Sequence, residues 1–523
     1  MGMKWRNWAG SSASVALVLL VATGCTGTSD AGAKPSRGPS VSSGASSGAS
    51  APSGAPSVTA ARVCAKPSAG PTKAPPGAVT VDPKVVDDLA EKTRNNPPGT
   101  TFWLRPGKHR LEPERYAQVM AKKGNRYLGA PGAVLDGGKK NNYAFSGTAP
   151  DVTIRYLTVQ HFVAPPDEGV VNHDMADGWV IEQSKIQYNS GAGLMGGARQ
   201  QVRANCLRDN GQYGMNAYKT GDSIRGLVVE DNEIVGNNTD DWERQRPGCG
   251  CTGGIKFWAV NGAEIRGNWV HDNRGVGLWA DNNNNDFRIE GNLIEANDGA
   301  ALMYETSYNA VVRNNTIRRN NWVEGRAYAD RGDPFPYATV YISEAGGEPR
   351  IKARTNKLEF YGNVLENNWN GITLWENADR FCNSPANTSS GYCTLLVKDT
   401  KRCAKPAIAT APLYSDCRWK TQRVDIHDNR FVLDTSVVKC TTGCGRMAVL
   451  SNYGTYPKWS PYKGKRVADA ITLKQSNRWH DNTYSGPWSF VAQNTDQKLD
   501  SGQWQDAPYR QDAGSTFAAK AGG

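Results

Sequence analysis

Between Gly254 and Asn377 the chain repeats one two-part phrase, and a short repeat of this kind admits very few folds. The first part is a brief alternating strand: Gly254-Ile-Lys-Phe-Trp258, Gly275-Val-Gly-Leu-Trp279, Ala300-Ala-Leu-Met-Tyr304, Thr339-Val-Tyr-Ile-Ser343 and Gly371-Ile-Thr-Leu-Trp375. The second sets an apolar residue ahead of two regularly spaced asparagines: Ile265…Asn268-Trp-Val270…Asn273, Ile289…Asn292-Leu-Ile294…Asn297, Val312…Asn315-Thr-Ile317…Asn320 and Phe360…Asn363-Val-Leu365…Asn368. Where no loop intervenes, the step from Asn268 to Asn292 to Asn315 falls within the ~20–50 residue period of solenoids. Asn tolerates left-handed geometry at a turn, and identical amides stacked ~4.8 Å apart can bond along an array.

The repeat extends well beyond this stretch. Val159 fills the apolar slot of an atypical first coil, Ile186 with Asn189 marks the next, and Asn205, Asn232, Asn429 and Asn477 open further copies. The total is about ten coils, each burying its apolar face against its neighbours. The longest departures, 239–253, 318–338 and 378–423, read as loops inserted between coils. A helix from Asp82 to Asn95, with Val85, Val86 and Leu89 on one face, would cap the open end of the array. The aromatic, non-repetitive stretch through Trp504 and Tyr509 would cap the other.

Thr100-Thr-Phe-Trp-Leu-Arg-Pro-Gly107 and Asn125-Arg-Tyr-Leu-Gly-Ala-Pro-Gly-Ala-Val-Leu-Asp-Gly137, followed by these coils, resemble the right-handed parallel β-helix proteins. That superfamily holds pectate lyases, polygalacturonases, chondroitinase-type lyases and mannuronan epimerases. The resemblance covers roughly residues 78–510 and implies an all-β solenoid, with a carbohydrate-active function as the expectation. It does not fix the chemistry, because one fold hosts many. None of the signatures Asn-Thr-Asp with Gly-His-Gly, Arg-x-Pro-x-x-Arg or Asp-Pro-His-Asp is present.

Lys4 and Arg6, an apolar run from Val15 to Ala22 too short to span a bilayer, and Thr23-Gly24-Cys25 resemble a bacterial lipoprotein signal with Cys25 as the lipidated residue. Ala22 stands where that family more often has Leu, so plain secretory cleavage is the alternative. The expected organisation is a signal peptide over 1–24, a disordered Ser/Gly/Ala/Pro tether over 25–76, the β-helix over 77–510 and a flexible tail over 511–523. Such a tether reaches roughly 40 Å. It suits a monomeric protein exported to the cell surface and held by lipid within reach of the wall. Of eleven cysteines, ten remain after Cys25, an even number suited to an oxidising compartment. Cys382 with Cys393, Cys403 with Cys417, and Cys440 with Cys444 look like local staples in loops, leaving Cys64, Cys206, Cys249 and Cys251 to pair among themselves, although spacing alone does not fix the connectivity. The net charge of +11 favours anionic neighbours, whereas the absence of any Lys/Arg run in an exported chain argues against nucleic acid.

Strand alternation turns the repeat into a candidate site. If Ile255, Phe257, Leu278, Met303 and Leu374 face inward, then Lys256, Trp258, Trp279, Tyr304, Ser343 and Trp375 face outward, with Tyr218 one coil earlier and Tyr341 a further candidate for substrate contact. This column reads as a platform for sugar rings, or as a surface packed under an inserted loop. One residue further lie Glu305, Glu344 and Glu376, with Asp281 and Lys219 at neighbouring positions. Carboxylates on neighbouring coils would stand ~5 Å apart and on alternate coils ~9–10 Å, spanning the spacings of retaining and inverting glycosidases. They are candidates for general acid, general base or Ca²⁺ ligand, or else fan into solvent. His173 with Asp174, Lys219 and Lys256 form a second constellation suited to proton abstraction next to a uronate carboxylate. The expectation is a glycoside hydrolase acting on extracellular polysaccharide without a cofactor. A lyase or epimerase, with Ca²⁺ if a lyase, and a non-catalytic glycan binder are the alternatives. The run Asp281-Asn-Asn-Asn-Asn-Asp286 reads as a polar turn rather than a Ca²⁺ loop.

Overall fold

The computed structural model describes residues 60, 62–219, 224–242, 252–384, 393–452 and 458–519. Each coil lays down three short strands, and each strand pairs in parallel with its counterpart in the next coil, so that three long sheets run along the molecule. One coil contributes Glu264–Arg266, Trp269–His271 and Val276–Ala280 to the first, second and third sheets; the next contributes Asn285–Glu290, Leu293–Glu295 and Leu302–Glu305. The middle residue of each short strand points into the coil: Ile265, Val270 and Leu278 stack on Ile289, Ile294 and Leu302, all buried. The architecture is a parallel β-helix whose apolar core is the bore of the coil. The second sheet runs from Gly107–His109 to Thr516–Ala518 and has 13 strands, more than the repeated phrase alone reveals.

Two asparagine ladders line the corners on either side of the second sheet. Asn205, Asn232, Asn268, Asn292, Asn315, Asn363, Asn429 and Asn482 form one; Asn189, Asn210, Asn237, Asn273, Asn297, Asn320 and Asn368 form the other. Asn268 shows the unit: its Nδ2 donates to Asn292 Oδ1 at 3.0 Å and to the Val229 carbonyl at 2.9 Å, while its Oδ1 accepts the Asn232 backbone N–H at 3.0 Å. The left-handed backbone expected of these asparagines belongs instead to the residue ahead of each, such as Gly267 (φ 64°), Asp272 (φ 50°), Gly291 (φ 63°) and Ala296 (φ 53°). That residue turns the corner, which leaves the Asn amide directed inward along the stack.

The ends depart from expectation in three places. The capping helix is Asp88–Asn95 alone; Leu89 and Ala90 enter the core, while Val85 and Val86 lie outside it and are about half exposed. Residues 62–76, expected to belong to a disordered tether, pack on the coils. Cys64 is disulfide-bonded to Cys206, the Cys64 carbonyl accepts from Lys185 Nζ at 2.8 Å, and Trp103 Nε1 donates to the Pro71 carbonyl at 3.0 Å. The expected tail instead supplies a strand, Thr516–Ala518, to the second sheet, anchored by the buried carboxyl of Asp512, which accepts from Asn482, Tyr484 and Trp504. Disulfides join Cys382 to Cys393, Cys403 to Cys417 and Cys440 to Cys444. The leader with Cys25, the tether up to residue 59, and Cys249 and Cys251 lie outside the described residues.

Replacing Asn292 by Ala removes one rung: the Asn268 backbone N–H and side-chain amide lose their shared acceptor and the Ile265 carbonyl loses its donor, while Asn315 Oδ1 keeps only the backbone N–H of residue 292. The expected cost is on the order of 3 kcal/mol, since each buried polar group left without a partner costs roughly 1–3 kcal/mol. The midpoint of urea unfolding measures it, and an unchanged midpoint would show that the ladder carries no stability.

Candidate active site

The third sheet sets the register of the site. Ile255 pairs with Leu278 and Leu278 with Leu302, so Gly254, Gly277 and Ala301 stack at the start of these strands. A Cβ on Gly254 would meet the Gly277 carbonyl oxygen at 2.4 Å, and one on Gly277 would meet that of Ala301 at 2.7 Å, which is why this position is kept small. Aligning the strands on Gly275 and Ala300 instead slips them by one or two residues, and a one-residue slip reverses the face of every side chain. Tyr304 is therefore not an outward platform residue. It points into the coil among Ala280 and Ile342, and its hydroxyl donates to the Tyr308 carbonyl at 2.7 Å. Two outward columns replace the expected one. The first is Lys256, Trp279, Met303, Tyr341 and Thr373. The second is Trp258, Asp281, Glu305, Ser343 and Trp375, with Tyr218 edge-on to Trp258 at 5.9 Å.

The aromatic members are covered, not open. The insertion running to Ala338 lays Phe335 and Tyr337 over Trp279, Tyr341 and Trp375 in one apolar cluster. Phe335 stands 5.9 Å from Trp375 and 6.4 Å from Tyr341, ring centre to ring centre. Asn321 and Asn370 hold this cover down, both donating to the Tyr337 carbonyl, at 2.7 and 3.0 Å. Trp279 and Tyr341 are each 1% exposed and Trp375 4%.

Beside this cluster lies a buried group of charges. Lys256 Nζ is 3.1 Å from the Asp281 carboxylate and 4.1 Å from the centre of the Trp279 ring. Glu305, one coil beyond Asp281, accepts from Trp279 Nε1 at 2.7 Å through Oε2, while its Oε1 has no hydrogen-bond partner. Glu344 has left-handed backbone (φ 46°); its carboxylate accepts the Asn377 backbone N–H at 2.6 Å and the Ser343 hydroxyl. Burial pushes Glu305 up to about 8, against Arg380 and with the charges of Asp281 and Glu344 behind it. Burial likewise pushes Glu344 up to about 7, opposed first by Arg380. Burial works against the charge on Arg380 as well, and Glu344, Glu305 and Asp281 outweigh it. The sequence reading missed Arg380, which follows Glu376 by only four residues but leaves the strand before reaching the site. Unpartnered buried polar atoms gather here: both Asp281 carboxylate oxygens in hydrogen-bond terms, Glu305 Oε1, the Tyr341 hydroxyl, Arg380 Nη1 and, two coils before Asp281 on the strand Tyr213–Ala217, Asn216 Oδ1 and the Tyr213 hydroxyl. Native folds carry few such atoms, and a concentration of them marks a place built for something other than stability.

Other expected members lie elsewhere. Glu376 does not join the three carboxylates; its Oε2 accepts from the Thr421 backbone N–H at 2.9 Å and Gln475 Nε2 at 2.6 Å, and Arg418 pairs with it at 3.3 Å. It docks the Cys-rich insertion. His173 stacks on Tyr143 at 3.7 Å, five coils from Glu305, and Lys219 pairs with Asp177 at 3.5 Å. Among the described residues no hydrogen bond or ion pair joins His173 or Lys219 to the buried carboxylates. At ~4.8 Å per coil His173 stands roughly 24 Å from Glu305, and Lys219, three coils away and paired with Asp177, roughly 14 Å, both too far for one reaction centre. Among the described residues, the one set of three His, Cys, Asp or Glu ligand atoms within 4.8 Å of one another is Cys382, Cys393 and Cys403. Their sulfurs are in disulfides, and Asp281, Glu305 and Glu344 are not gathered as the ligands of a Ca²⁺ ion would be. In the Asp281–Asp286 run, Asn284 donates to Ser307 and Asn283 donates to the Cys393 carbonyl, as befits a turn.

Three parallel sheets stacked coil on coil, with amide ladders at their corners, give the chain the fold of a right-handed parallel β-helix. Residues 169–386 match the family model described as a right handed beta helix region. No curated protein matches the sequence. Solved structures with a similar course include the A-module of the mannuronan C-5 epimerase AlgE4 of Azotobacter vinelandii, at 12% identity over 74% of this chain and 97% of that one, with a TM-score of 0.39. The catalytic unit of a GH87 alpha-1,3-glucanase of Streptomyces thermodiastaticus is 12% identical over 88% of this chain and 70% of that one, with a TM-score of 0.42. A PL6 alginate lyase in complex with a trisaccharide is 11% identical over 86% of each chain, with a TM-score of 0.40. Likeness at this level carries no argument about activity.

The raised Glu305 carboxyl has a consequence for stability. In the unfolded chain it titrates near the ordinary value of about 4.3, so between there and about 8 the folded protein holds a proton that the unfolded one releases, and stability falls as pH rises through that window. Glu305→Gln, which keeps the acceptor for Trp279 and loses the titration, is expected to flatten part of the fall in melting temperature from about pH 5 to about pH 8. Identical pH profiles for the two proteins would contradict the protonated assignment.

Proposed function

We propose that this protein is a glycoside hydrolase of extracellular polysaccharide, with Glu305 as general acid and Asp281 as its carboxylate partner. The observation that carries this reading is the pair itself: a carboxyl held protonated by burial, with a free oxygen, one coil from a carboxylate paired with Lys256. Glycosidases need one carboxyl that gives a proton to the leaving oxygen and one carboxylate facing the anomeric carbon, and a carboxyl whose surroundings keep its proton on suits the first role. Asp281 and Glu305 occupy adjacent coils, so their side chains stand roughly 5 Å apart, the spacing of a retaining enzyme. In that mechanism Asp281 attacks the anomeric carbon as Glu305 protonates the departing oxygen; Glu305, then ionised, takes a proton from the water that releases the sugar. Glu344 and Arg380 set the field around Glu305.

A lyase or epimerase must neutralise a uronate carboxylate before removing a proton beside it. Lys256 is already paired with Asp281, and the charge of Arg380 is drawn on by Glu344 and Asp281, which favours hydrolysis. Phe335 and Tyr337 cover Trp279, whose indole holds Glu305, so a polymer enters only when that insertion lifts, and Trp279, Tyr341 and Trp375 then offer their rings to sugar faces. Anchoring through Cys25, with no cofactor required, completes the proposal.

Glu305→Gln is expected to lower kcat by roughly 10²–10⁴, the usual worth of a general acid, with polysaccharide binding retained. Wild-type products should carry new reducing ends of retained anomeric configuration. An unsaturated, ultraviolet-absorbing product would turn the assignment to a lyase, and binding without turnover in the wild type would leave a glycan-binding protein.

A further inference from the structure

Away from the acidic centre, a cleft of about 370 Å³ opens between the Cys-rich insertion and the end of the helix Lys465–Leu473. Arg418, Lys420, Arg423 and Lys474 line it together with Ser415 and Gln475, and no carboxylate stands among the described lining residues. Arg418 is the built element. Its side chain is 4% exposed, its Nη2 is 3.3 Å from the Glu376 carboxylate, and its guanidinium lies 4.9 Å from the centre of the Tyr462 ring. Its Nε and Nη1 are nevertheless buried without a hydrogen-bond partner. Lys420 donates to the Ser415 hydroxyl at 2.6 Å. Burial, and next the charge of Arg418, hold its ammonium below the usual lysine range, with Glu348 and Glu376 opposing them only in part.

A cleft lined by charge of one sign concentrates ions of the other. An arginine with free N–H groups, a lysine, a hydroxyl and an amide together match the several acceptor oxygens of a tetrahedral oxyanion better than the two of a carboxylate. The cleft is also as large as those that take small organic molecules, more than a bare ion fills. We propose that it binds a phosphate ester, whose anionic oxygens are received by Arg418 and Lys420 while Arg423 and Lys474 attract it at the mouth. The same chemistry is carried by a small polyol or sugar phosphate and by a phosphodiester-linked wall polymer. This site is independent of the hydrolase reading and stands or falls separately.

Calorimetric titration of the whole protein at low salt with glycerol phosphate and with poly(glycerol phosphate) tests it. Saturable binding of either supports the site; tighter binding of the polymer per phosphate identifies the wall as source, and binding of the monomer alone identifies a small ester. The double variant Lys420→Gln, Lys474→Gln, which leaves the Arg418–Glu376 pair in place, should bind at least about ten-fold more weakly while its melting temperature without ligand stays that of the wild type. The rise in melting temperature that glycerol phosphate gives the wild type should vanish in the variant. Absence of saturable binding in the wild type, equal affinity of the variant, or tighter binding of galacturonate than of glycerol phosphate would overturn the proposal.

Discussion

An asparagine amide carries two donor hydrogens and an oxygen that accepts twice, and in this molecule that capacity is spent along the axis of the coil. Each ladder amide bonds to the next coil's amide, to a carbonyl of a strand in the preceding coil and, through its oxygen, to a backbone N–H of that coil. Buried amides of this kind are costly in isolation and stabilising only when complete. The ladders therefore hold neighbouring coils in one register at the two corners beside the second sheet. The insertions leave the coil after Asn238, after Asn320 and after Asn377, at one end or the other of strands in the third sheet. Two of these exits lie at the second ladder itself, so the register of the coil is held where the loops begin, and the buried carboxylates stand on that same face.

The same constraint explains which parts of the molecule were legible from sequence. The ladder asparagines recur at fixed spacing because both corners demand it, so the coil and its core could be read directly. The third sheet has no such marker. Its strands begin with interchangeable small residues, and Gly275-Val-Gly277 offers two glycines of which only the second aligns with Gly254. Tyr304 was thereby placed outside instead of inside, and Asp281 was left beyond the aromatic column when it sits within it, ahead of Glu305. Glu344 needed a further fact, the left-handed backbone that redirects its side chain, for which a glutamate gives no sign. The cover could be anticipated as an alternative to an open platform, but a loop's contacts are tertiary, and nothing in Phe335 or Tyr337 names the rings they meet. The N-terminal segment misled for a different reason. Its Ser/Gly/Ala/Pro composition continues past the point where Cys64 ties it to Cys206, and one disulfide outweighs the entropy that such a composition otherwise keeps.

Burying Asp281, Glu305, Glu344, Lys256 and Arg380 together is expensive, since desolvation of each ion costs several kcal/mol unless its partner is well placed. The fold meets this partly by pairing and partly by leaving Glu305 neutral, which removes the charge with the least compensation. A purely structural solution would fill this space with the same apolar residues that pack beneath Phe335. That the carboxylates remain, with oxygens unpartnered, is the physical basis for reading the centre as a reaction site and not as a stabilising network.

One element joins this centre to the cationic cleft. The Cys-rich insertion begins and ends at a short antiparallel bridge between Phe381 and Arg418, closed by the Cys382 N–H donating to the Cys417 carbonyl at 2.8 Å. Arg380 stands on one strand of that bridge and Arg418 on the other. The first stands in the field of Glu344 and Glu305, and the second pairs with Glu376 beside the cleft. The two disulfides, Cys382–Cys393 and Cys403–Cys417, lie immediately behind these arginines and fix their origin, so the insertion acts as a two-sided clasp whose cations face different anions. A change that loosens it would disturb both sites, whereas changes at Lys256 or Lys474 each reach only one. That asymmetry separates the contribution of the clasp from that of either site.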